Sequence, residues 1–386
     1  MLKGKKQKIA LVVDSFLPNL GGIELHVRDL ALELQKQGSE AHVITTTPAD
    51  IQTSRPINTG TSRHREIQTI PIHRLNVSLL PFWRITWDRK LVPLLRNLLI
   101  KERFDLLHSH SSVVSPLAYS AIFLANQLKI PNVLTNHSLL EKSIYTFRLL
   151  ECFYGWRSWS TVLTSISEAA AEGLRKASKR REILILPNGI HLNEWRIPKT
   201  QNFPLQITSV MRLHRKKRGR MLVRTISKIE KKLGSKIPFQ LNLIGDGEER
   251  SRLEKKVRKL GLQEKIKFLG FCPREEIKKI FSQTDFFVLP TLKEALSIAT
   301  LEAKAAGLPT VAMNYGGVKE IIQHGENGFL AENDAEFADY ILKLLQNESL
   351  RKRMSENSQK GLDRFDWSQV IQKHGEVYEE ATSKVR

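Results

Sequence analysis

The stretch Asp285-Phe-Phe-Val-Leu-Pro290-Thr-Leu-Lys-Glu294-Ala-Leu-Ser297-Ile-Ala-Thr-Leu-Glu302-Ala303 passes from a short apolar run, through a loop, into a helix-length segment. Phe286 to Leu289 has the length and composition of a strand covered on both faces, as in parallel sheets flanked by helices. In an open sheet of that kind, ligands bind beyond the carboxyl ends of the strands. Glu294 falls in the strand-to-helix loop and Glu302 in the following helix, with seven residues between them. A helix starting near Ser297 would aim its unpaired N–H groups and positive dipole end at the same place, which suits a phosphate. Two carboxylates beside a phosphate site fit a polyhydroxylated ligand, one holding sugar hydroxyls and the other ribose hydroxyls. Alone, a pair of Glu residues near a helix usually marks a solvated face, so the rest of the chain must supply the context.

Similar strand-like runs alternate with helix-length amphipathic stretches almost throughout, the pattern of repeated βαβ units. In the first half they are Ile9–Asp14, Ala41–Thr45, Ile67–Ile72, Asp105–His108, Val133–Asn136, Thr161–Thr164 and Ile183–Leu186. In the second they are Gln206–Met211, Gln240–Ile244, Ile266–Leu269, Asp285–Leu289 and Thr310–Met313. Two series predict two doubly wound α/β domains, and 386 residues exceed what one core usually supports. The polar, proline-bracketed segment Ile197–Pro204 is the expected linker. It places an N-terminal domain at 1–197 and a C-terminal one at 198–367, with a ligand cleft expected between them. Residues 46–66 form a polar loop too long for a simple turn.

Composition excludes several classes. No apolar run approaches the roughly 18 residues of a membrane span, and the longest candidate, Val113 to Ala125, is interrupted by Ser115, Pro116 and Ser120. The basic start, Met1 to Lys8, does not read as a signal peptide. Two cysteines, Cys152 and Cys272, make neither a disulfide framework nor a Cys-rich metal site, which fits a reducing cytoplasm. A net charge of +21 asks for an acidic partner. No zinc-ligand spacing or single-strand-binding aromatic motif points to nucleic acid; nucleotide phosphates and anionic lipid remain.

Three further motifs stand at strand ends. Asp14-Ser-Phe-Leu-Pro-Asn-Leu-Gly21-Gly22-Ile-Glu24-Leu-His26 joins the first strand to the first helix, where paired glycines admit close backbone approach to a phosphate or simply make a tight turn. It matches neither a dinucleotide fingerprint nor a Walker loop. Leu106-Leu-His108-Ser-His110-Ser-Ser112 and Thr135-Asn-His137-Ser138 put histidines at the next two tips. His108 and His110 share a strand face. No third metal ligand shows in the nearby sequence, so a cleft-facing histidine that hydrogen-bonds a sugar is favoured over a chelate, beside the bland reading of satisfied structural histidines. Met211-Arg212-Leu-His-Arg-Lys-Lys217-Arg218-Gly219 is either a solvated basic loop or a counter-charge for a departing diphosphate.

Together these residues resemble a known family. Gly21-Gly22-x-Glu24, His110, Arg212 with Lys217, Gly245-Asp-Gly247, Glu294-x7-Glu302-Ala and Gly316-Gly317-x-x-Glu320 occur in the order and spacing of the family 4 retaining glycosyltransferases, over about residues 9–330. The resemblance implies a GT-B fold, with two Rossmann-like domains facing across a cleft and a last helix, about 368–386, crossing back to the first domain. It implies a nucleoside-diphosphate sugar as donor. Glu294 would bind the donor-sugar hydroxyls and Glu302 the ribose. Arg212 and Lys217 would hold the diphosphate, helped by backbone N–H groups of Gly22 and of Ser297, Ile298 and Ala299. Gly21 and Gly245 would line the donor site, and His110 would sit at the sugar. Glu24 and His137 are the acceptor-side candidates. No metal or other cofactor is implied, because the two basic side chains and the helix end take its place. Met211, Arg218, Leu296-Ser297 and His191 depart from the family's usual residues, which loosens the choice of base and sugar.

Within the family, His108-Ser-His-Ser-Ser, Pro131 to Leu134 and Asn136-His-Ser-Leu are similar to the phosphatidylinositol N-acetylglucosaminyltransferases. That similarity implies an N-acetylhexosamine donor such as UDP-GlcNAc and a lipid acceptor. Residues 76–103 agree with it, carrying Trp83 and Trp87 with six basic and two acidic residues, a composition suited to an anionic membrane interface. A packing helix with solvated charges would read the same way. Pro93 predicts a break there, followed by a helix over 94–101. A peripheral enzyme on the cytoplasmic face is the expectation, with a soluble or polysaccharide acceptor as the alternative.

Overall fold

The computed structural model describes residues 6–19, 21–48, 69–78, 88–140, 144–145, 159–179, 182–200 and 203–385. They form two compact units, Met1–Gly189 with Trp367–Arg386, and Ile190–Asp366.

In the first unit the chain runs β1 (Lys8–Val13), α1 (Gly22–Lys36), β2 (Glu40–Thr45), β3 (Ile72–Arg74), α2 (Leu91–Glu102), β4 (Leu106–Ser111), α3 (Pro116–Gln127), β5 (Asn132–Asn136), β6 (Val162–Ser165), α4 (Glu168–Ser178) and β7 (Leu184–Ile185). All pairings are parallel and the strand order is β3-β2-β1-β4-β5-β6-β7. Every residue of β4 is buried, as is every residue of β1 after Lys8, because helices cover both faces. The expected strand at Ile67–Ile72 instead begins at Ile72; residues 67 and 68 lie outside the described residues, as do Trp83, Trp87 and most of the 46–66 loop.

Pro93 does not break α2. It stands in the first turn of the helix, where a missing N–H costs nothing, so the helix starts at Leu91 rather than Leu94. Leu91, Leu95 and Leu99 pack inward, leaving Val92, Leu94, Arg96, Ile100 and Lys101 on the outside.

The second unit contains α5 (Leu192–Trp195), β8 (Leu205–Val210), a 3-10 turn (Arg215–Lys217), α6 (Gly219–Leu233), β9 (Phe239–Ile244), α7 (Arg250–Lys259), β10 (Ile266–Gly270), α8 (Arg274–Ser282) and β11 (Phe286–Leu289). It continues with α9 (Ile298–Ala305), β12 (Thr310–Met313), a 3-10 turn (Gly316–Glu320), β13 (Gly328–Ala331), α10 (Asp334–Gln346) and α11 (Glu348–Asn357). Its parallel sheet has the order β10-β9-β8-β11-β12-β13. Strand β13 has no counterpart among the sequence expectations. Its opening glycine is required, since a Cβ at Gly328 would fall 2.3 Å from the Thr310 carbonyl oxygen.

In both sheets the order reverses beside the first strand, between β1 and β4 and between β8 and β11. These are topological switch points, where loops on either side splay apart and leave room for a ligand.

The units divide between Gly189 and Ile190, upstream of the expected linker. Ile190 N donates to Phe365 O, Leu192 N to Asp366 Oδ2, and Trp195 packs on Phe281, so this stretch belongs to the second unit. The last helix, α12 (Trp367–Ser383), belongs to the first, as the resemblance implied. Trp367, Val370, Ile371, Val377, Tyr378 and Ala381 complete the core formed by β1, β2 and α1. The fit is close at Gly189, where a Cβ would meet the Trp367 ring at 2.4 Å.

Candidate active site

The second unit carries Arg212, Lys217, Glu294 and Ser297 on the loops that follow β8 and β11, at its switch point. After β8 the chain turns through Arg212 to the 3-10 turn ending at Lys217. After β11 it passes Pro290 to Glu294 and enters α9, capped by Ser297, whose hydroxyl accepts from Thr300 N at 3.2 Å. The helix start near Ser297 is therefore as expected, and the N–H groups of Ile298 and Ala299 lie in its first turn, where the helix itself offers no acceptor. Lys217 Nζ lies 2.5 Å from Glu294 Oε2, joining the two loops. The Glu294 carbonyl accepts from Gly317 N at 2.9 Å, which ties the Gly316–Glu320 turn to the same place. Arg212 is exposed on the rim.

Gly245 and Gly247 have a packing reason beyond any ligand. Both have positive φ, and a Cβ would fall 2.0 Å from Met211 O and 2.4 Å from Leu213 O respectively. Only glycine lets the loop after β9 lie against the backbone that leads to Arg212. Arg218, one of the departures from the family pattern, adopts left-handed φ and reaches Pro290 O and Asp334, so it braces the loop after β8 against the loop after β11.

Glu302 is buried in α9, with Arg274 Nε of α8 3.3 Å away. Arg274 escaped the sequence reading: nothing in the charged 274–279 stretch separates the arginine that meets Glu302 from the lysines beside it.

In the first unit, Gly21 caps α1 with extended backbone, and Gly22 has open space around the position of a Cβ. Glu24 lies in the first turn of α1. At the tip of β4, His110 Nδ1 lies 3.0 Å from His137 Nε2. The third imidazole that the sequence near His110 does not show comes from α1. His26, His110 and His137 each bring one ring nitrogen within 4.8 Å of the others, all buried. His110 Nε2 and His26 Nδ1 have no hydrogen-bond partner among the described residues. His108 is fully engaged, with Nδ1 on Tyr378 Oη and Nε2 on Thr135 Oγ1. The tip histidine is thus His110, and His108 is a satisfied structural one.

Burial, reinforced by mutual repulsion, holds His26, His108 and His110 well below the ordinary imidazole pKa. Burial also takes His137 down to about 3 and His374 to about 4. At neutral pH these five rings act as hydrogen-bonding groups and not as cations. Asp14 closes the loop after β1, accepting from Leu117 N and Ala118 N at the start of α3, with a pKa raised to about 6 chiefly by burial.

Comparison with known proteins bears on the family and the fold. The sequence model described as Glycosyltransferase Family 4 matches residues 20–194, and that described as Glycosyl transferases group 1 matches residues 193–361. A human phosphatidylinositol N-acetylglucosaminyltransferase polypeptide is 26% identical over 332 residues, covering 82% of this chain and 64% of the human one. The N-acetyl-alpha-D-glucosaminyl L-malate synthase of Bacillus anthracis is 24% identical, covering 94% of each chain. Among solved structures, Anabaena HepE in complex with UDP and glucose matches with a TM-score of 0.75 at 21% identity, over 97% of this chain and 99% of that one. The fold is GT-B in class, and the protein belongs to the group 1, family 4 glycosyltransferases.

Proposed function

We propose that this glycosyltransferase moves a hexose or N-acetylhexosamine, with UDP-GlcNAc the favoured donor, to an acceptor hydroxyl with retention of anomeric configuration. The observation that carries the reading is the meeting of Lys217, Glu294 and the Ser297-capped helix at the switch point of the second sheet. A cation, a carboxylate and a helix N-terminus within one loop cluster match two parts of a sugar nucleotide: the sugar hydroxyls, and the diphosphate on which negative charge develops as it leaves. N-acetylglucosamine is favoured because both named relatives carry it in their names.

In the reaction, the bond between the anomeric carbon and the β-phosphate oxygen breaks, and its electron pair stays on the phosphate. Arg212, Lys217 and the N–H groups of Ile298 and Ala299 neutralise that charge without a metal. The acceptor oxygen attacks from the leaving-group face and gives its proton to the departing phosphate. Glu294 orients the sugar as a hydrogen-bond acceptor and is not a nucleophile; Glu302 takes the ribose. Gly21, Gly22 and Gly245 keep the donor-side roles implied by the resemblance, His110 the sugar contact, and Glu24 and His137 the acceptor side.

The acceptor we favour is a phosphoinositide-like lipid at an anionic surface facing the cytoplasm. The outer side of α2 supports it: Val92, Leu94 and Ile100 are 38%, 38% and 52% exposed beside exposed Arg96 and Lys101, a mixture suited to a headgroup layer. The competing acceptor is small and soluble, like the L-malate in the name of the Bacillus relative. The deciding experiment supplies UDP-GlcNAc with phosphatidylinositol vesicles or with L-malate, reads UDP release, and assigns the product's anomeric configuration by NMR. Turnover on vesicles alone, with an α-linked product, is expected. Turnover on malate alone would transfer the reading to the soluble acceptor, and an inverted product would remove the mechanism.

A further inference from the structure

At the β3–β2 edge of the first unit's sheet lies a second group of imidazoles. Glu40 and His42 are two residues apart on β2 and so share a face. His42 Nε2 lies 2.8 Å from Glu40 Oε1, and His42 Nδ1 lies 2.8 Å from His73 Nε2 of β3. Glu102, at the end of α2, completes the cluster: His42, His73 and Glu102 each bring one ligand atom within 4.8 Å of the others. We propose that His42, His73 and Glu102 form a binding site for a divalent transition-metal ion of the zinc class, with Glu40 orienting His42.

The proton bookkeeping supports this. An ionised carboxylate only accepts hydrogen bonds, so His42 keeps its proton on Nε2, facing Glu40, and turns the Nδ1 lone pair toward His73. Such a carboxylate–histidine pair is the usual second layer of a metal site, fixing the tautomer of the ligating ring. The contact with His73 then uses the proton on His73 Nε2. If that proton moves to Nδ1 of the same ring, two lone pairs face one point, and a cation takes the place of the shared hydrogen. Tetrahedral bonds of about 2.0–2.1 Å require about 3.3–3.4 Å between ligand atoms, so the rings need separate by only about half an ångström.

The surroundings are equally particular. Phe104 stands edge-on to both rings, at 5.3 and 6.2 Å between centroids, and restricts their rotation. Two imidazoles with a carboxylate favour zinc, cobalt or nickel over magnesium or calcium. Lys8 is the competitor: its ammonium lies 2.7 Å from Glu102 Oε2 and 3.9 Å from Glu40 Oε1, a position the metal ion would contest. The bound ion would tie β2, β3 and α2 together, separately from the sugar chemistry.

The test is calorimetric titration of zinc chloride into the full-length protein, stripped with chelator and transferred to a non-coordinating buffer at pH 7.5. One zinc per chain is expected, with affinity lowered at least about tenfold in His42→Gln, His73→Gln and Glu102→Gln, and raised several-fold in Lys8→Ala. Circular dichroism establishes that each variant is folded, and cobalt in place of zinc reports the ligand geometry through its visible absorption. Absence of zinc binding at micromolar concentrations would overturn the proposal. So would binding that survives His42→Gln and is lost in His137→Gln, which would put the ion among His26, His110 and His137.

Discussion

The ammonium of Lys217 sits 2.5 Å from Oε2 of Glu294, linking the loop after β8 to the loop after β11 across the switch point of the second sheet. Both side chains are partly buried, at 29% and 17% exposure, so the pair is shielded from bulk water more than a surface ion pair is. A donor diphosphate would have to share or take over the ammonium, leaving the carboxylate to the sugar.

Lys217→Ala should therefore lower turnover by about 10²–10³, the usual loss when one preorganised donor to a developing charge is removed, with Lys217→Arg retaining part of the activity. Glu294→Gln should keep affinity for UDP alone while losing discrimination among UDP-sugars. Initial rates and calorimetry separate the two effects. Unchanged turnover in Glu294→Gln, or a covalent glycosyl-enzyme trapped there, would be incompatible with a positioning role.

Glycines of the two units should respond oppositely to alanine. At Gly245 the new methyl group meets Met211 O at 2.0 Å on a backbone with φ +120°, so a loss of about 3 kcal/mol or more is expected in urea unfolding. At Gly22 nothing lies within 4 Å and the residue opens α1, so stability should stay level or rise by up to about 1 kcal/mol. Donor affinity should nonetheless fall in Gly22→Ala if its backbone meets a phosphate. Equal destabilisation of the two variants would contradict the packing account.

Lys304 is fully buried in α9, hydrogen-bonds Asn327 O at 3.3 Å, and has a pKa lowered by burial to about 7. The unfolded chain keeps that proton up to about pH 10.5, so between these values it binds more protons and stability rises with pH. Below about pH 7 the native state carries the full penalty of a buried ammonium. Lys304→Met should stabilise the protein, more at pH 6 than at pH 9, as read by denaturant midpoints at the two pH values. A gain independent of pH would mean that packing, not charge, dominates.

The histidine cluster has the same sign of dependence in a more acid window. Its folded pKa values lie below the ordinary 6.5, so the unfolded state takes up more protons as pH falls. Stability is complete above about 6.5 and is lost on acidification, by about 1.4 kcal/mol per pH unit for each ring that stays neutral. His374→Phe should lower the slope between pH 6 and 5 by about one proton, measured from unfolding free energies. An unchanged slope would show that His374 is protonated in the native state.

Much of this architecture could be read from the residues. Uninterrupted runs such as Ile9–Val13 and Phe286–Leu289 are strands because burial on both faces demands apolar residues without alternation, and the basic loop after β8 and the Glu294 loop both follow such strands directly. Short edge elements were less legible. Ile72–Arg74 carries two polar residues in three, and Gly328–Ala331 is four residues opened by a glycine whose need is set by Thr310 of the neighbouring strand. The same limit hid His26, His374 and Tyr378. Each lies on the buried side of a helix, and its partners, His110 and His108 among them, come from distant segments that pairwise patterning does not connect.

The placement of α12 sets an order of assembly. Trp367 closes over Gly189, and Tyr378 reaches His108, so residues made after the second unit complete a core whose strands are made before it. On the ribosome the second unit can gather its own contacts as soon as Asp366 has emerged, whereas the first must wait, with its histidines and the inner faces of β1 and β4 uncovered, until α12 has followed it. Loss of the final helix would thus injure the opposite end of the chain.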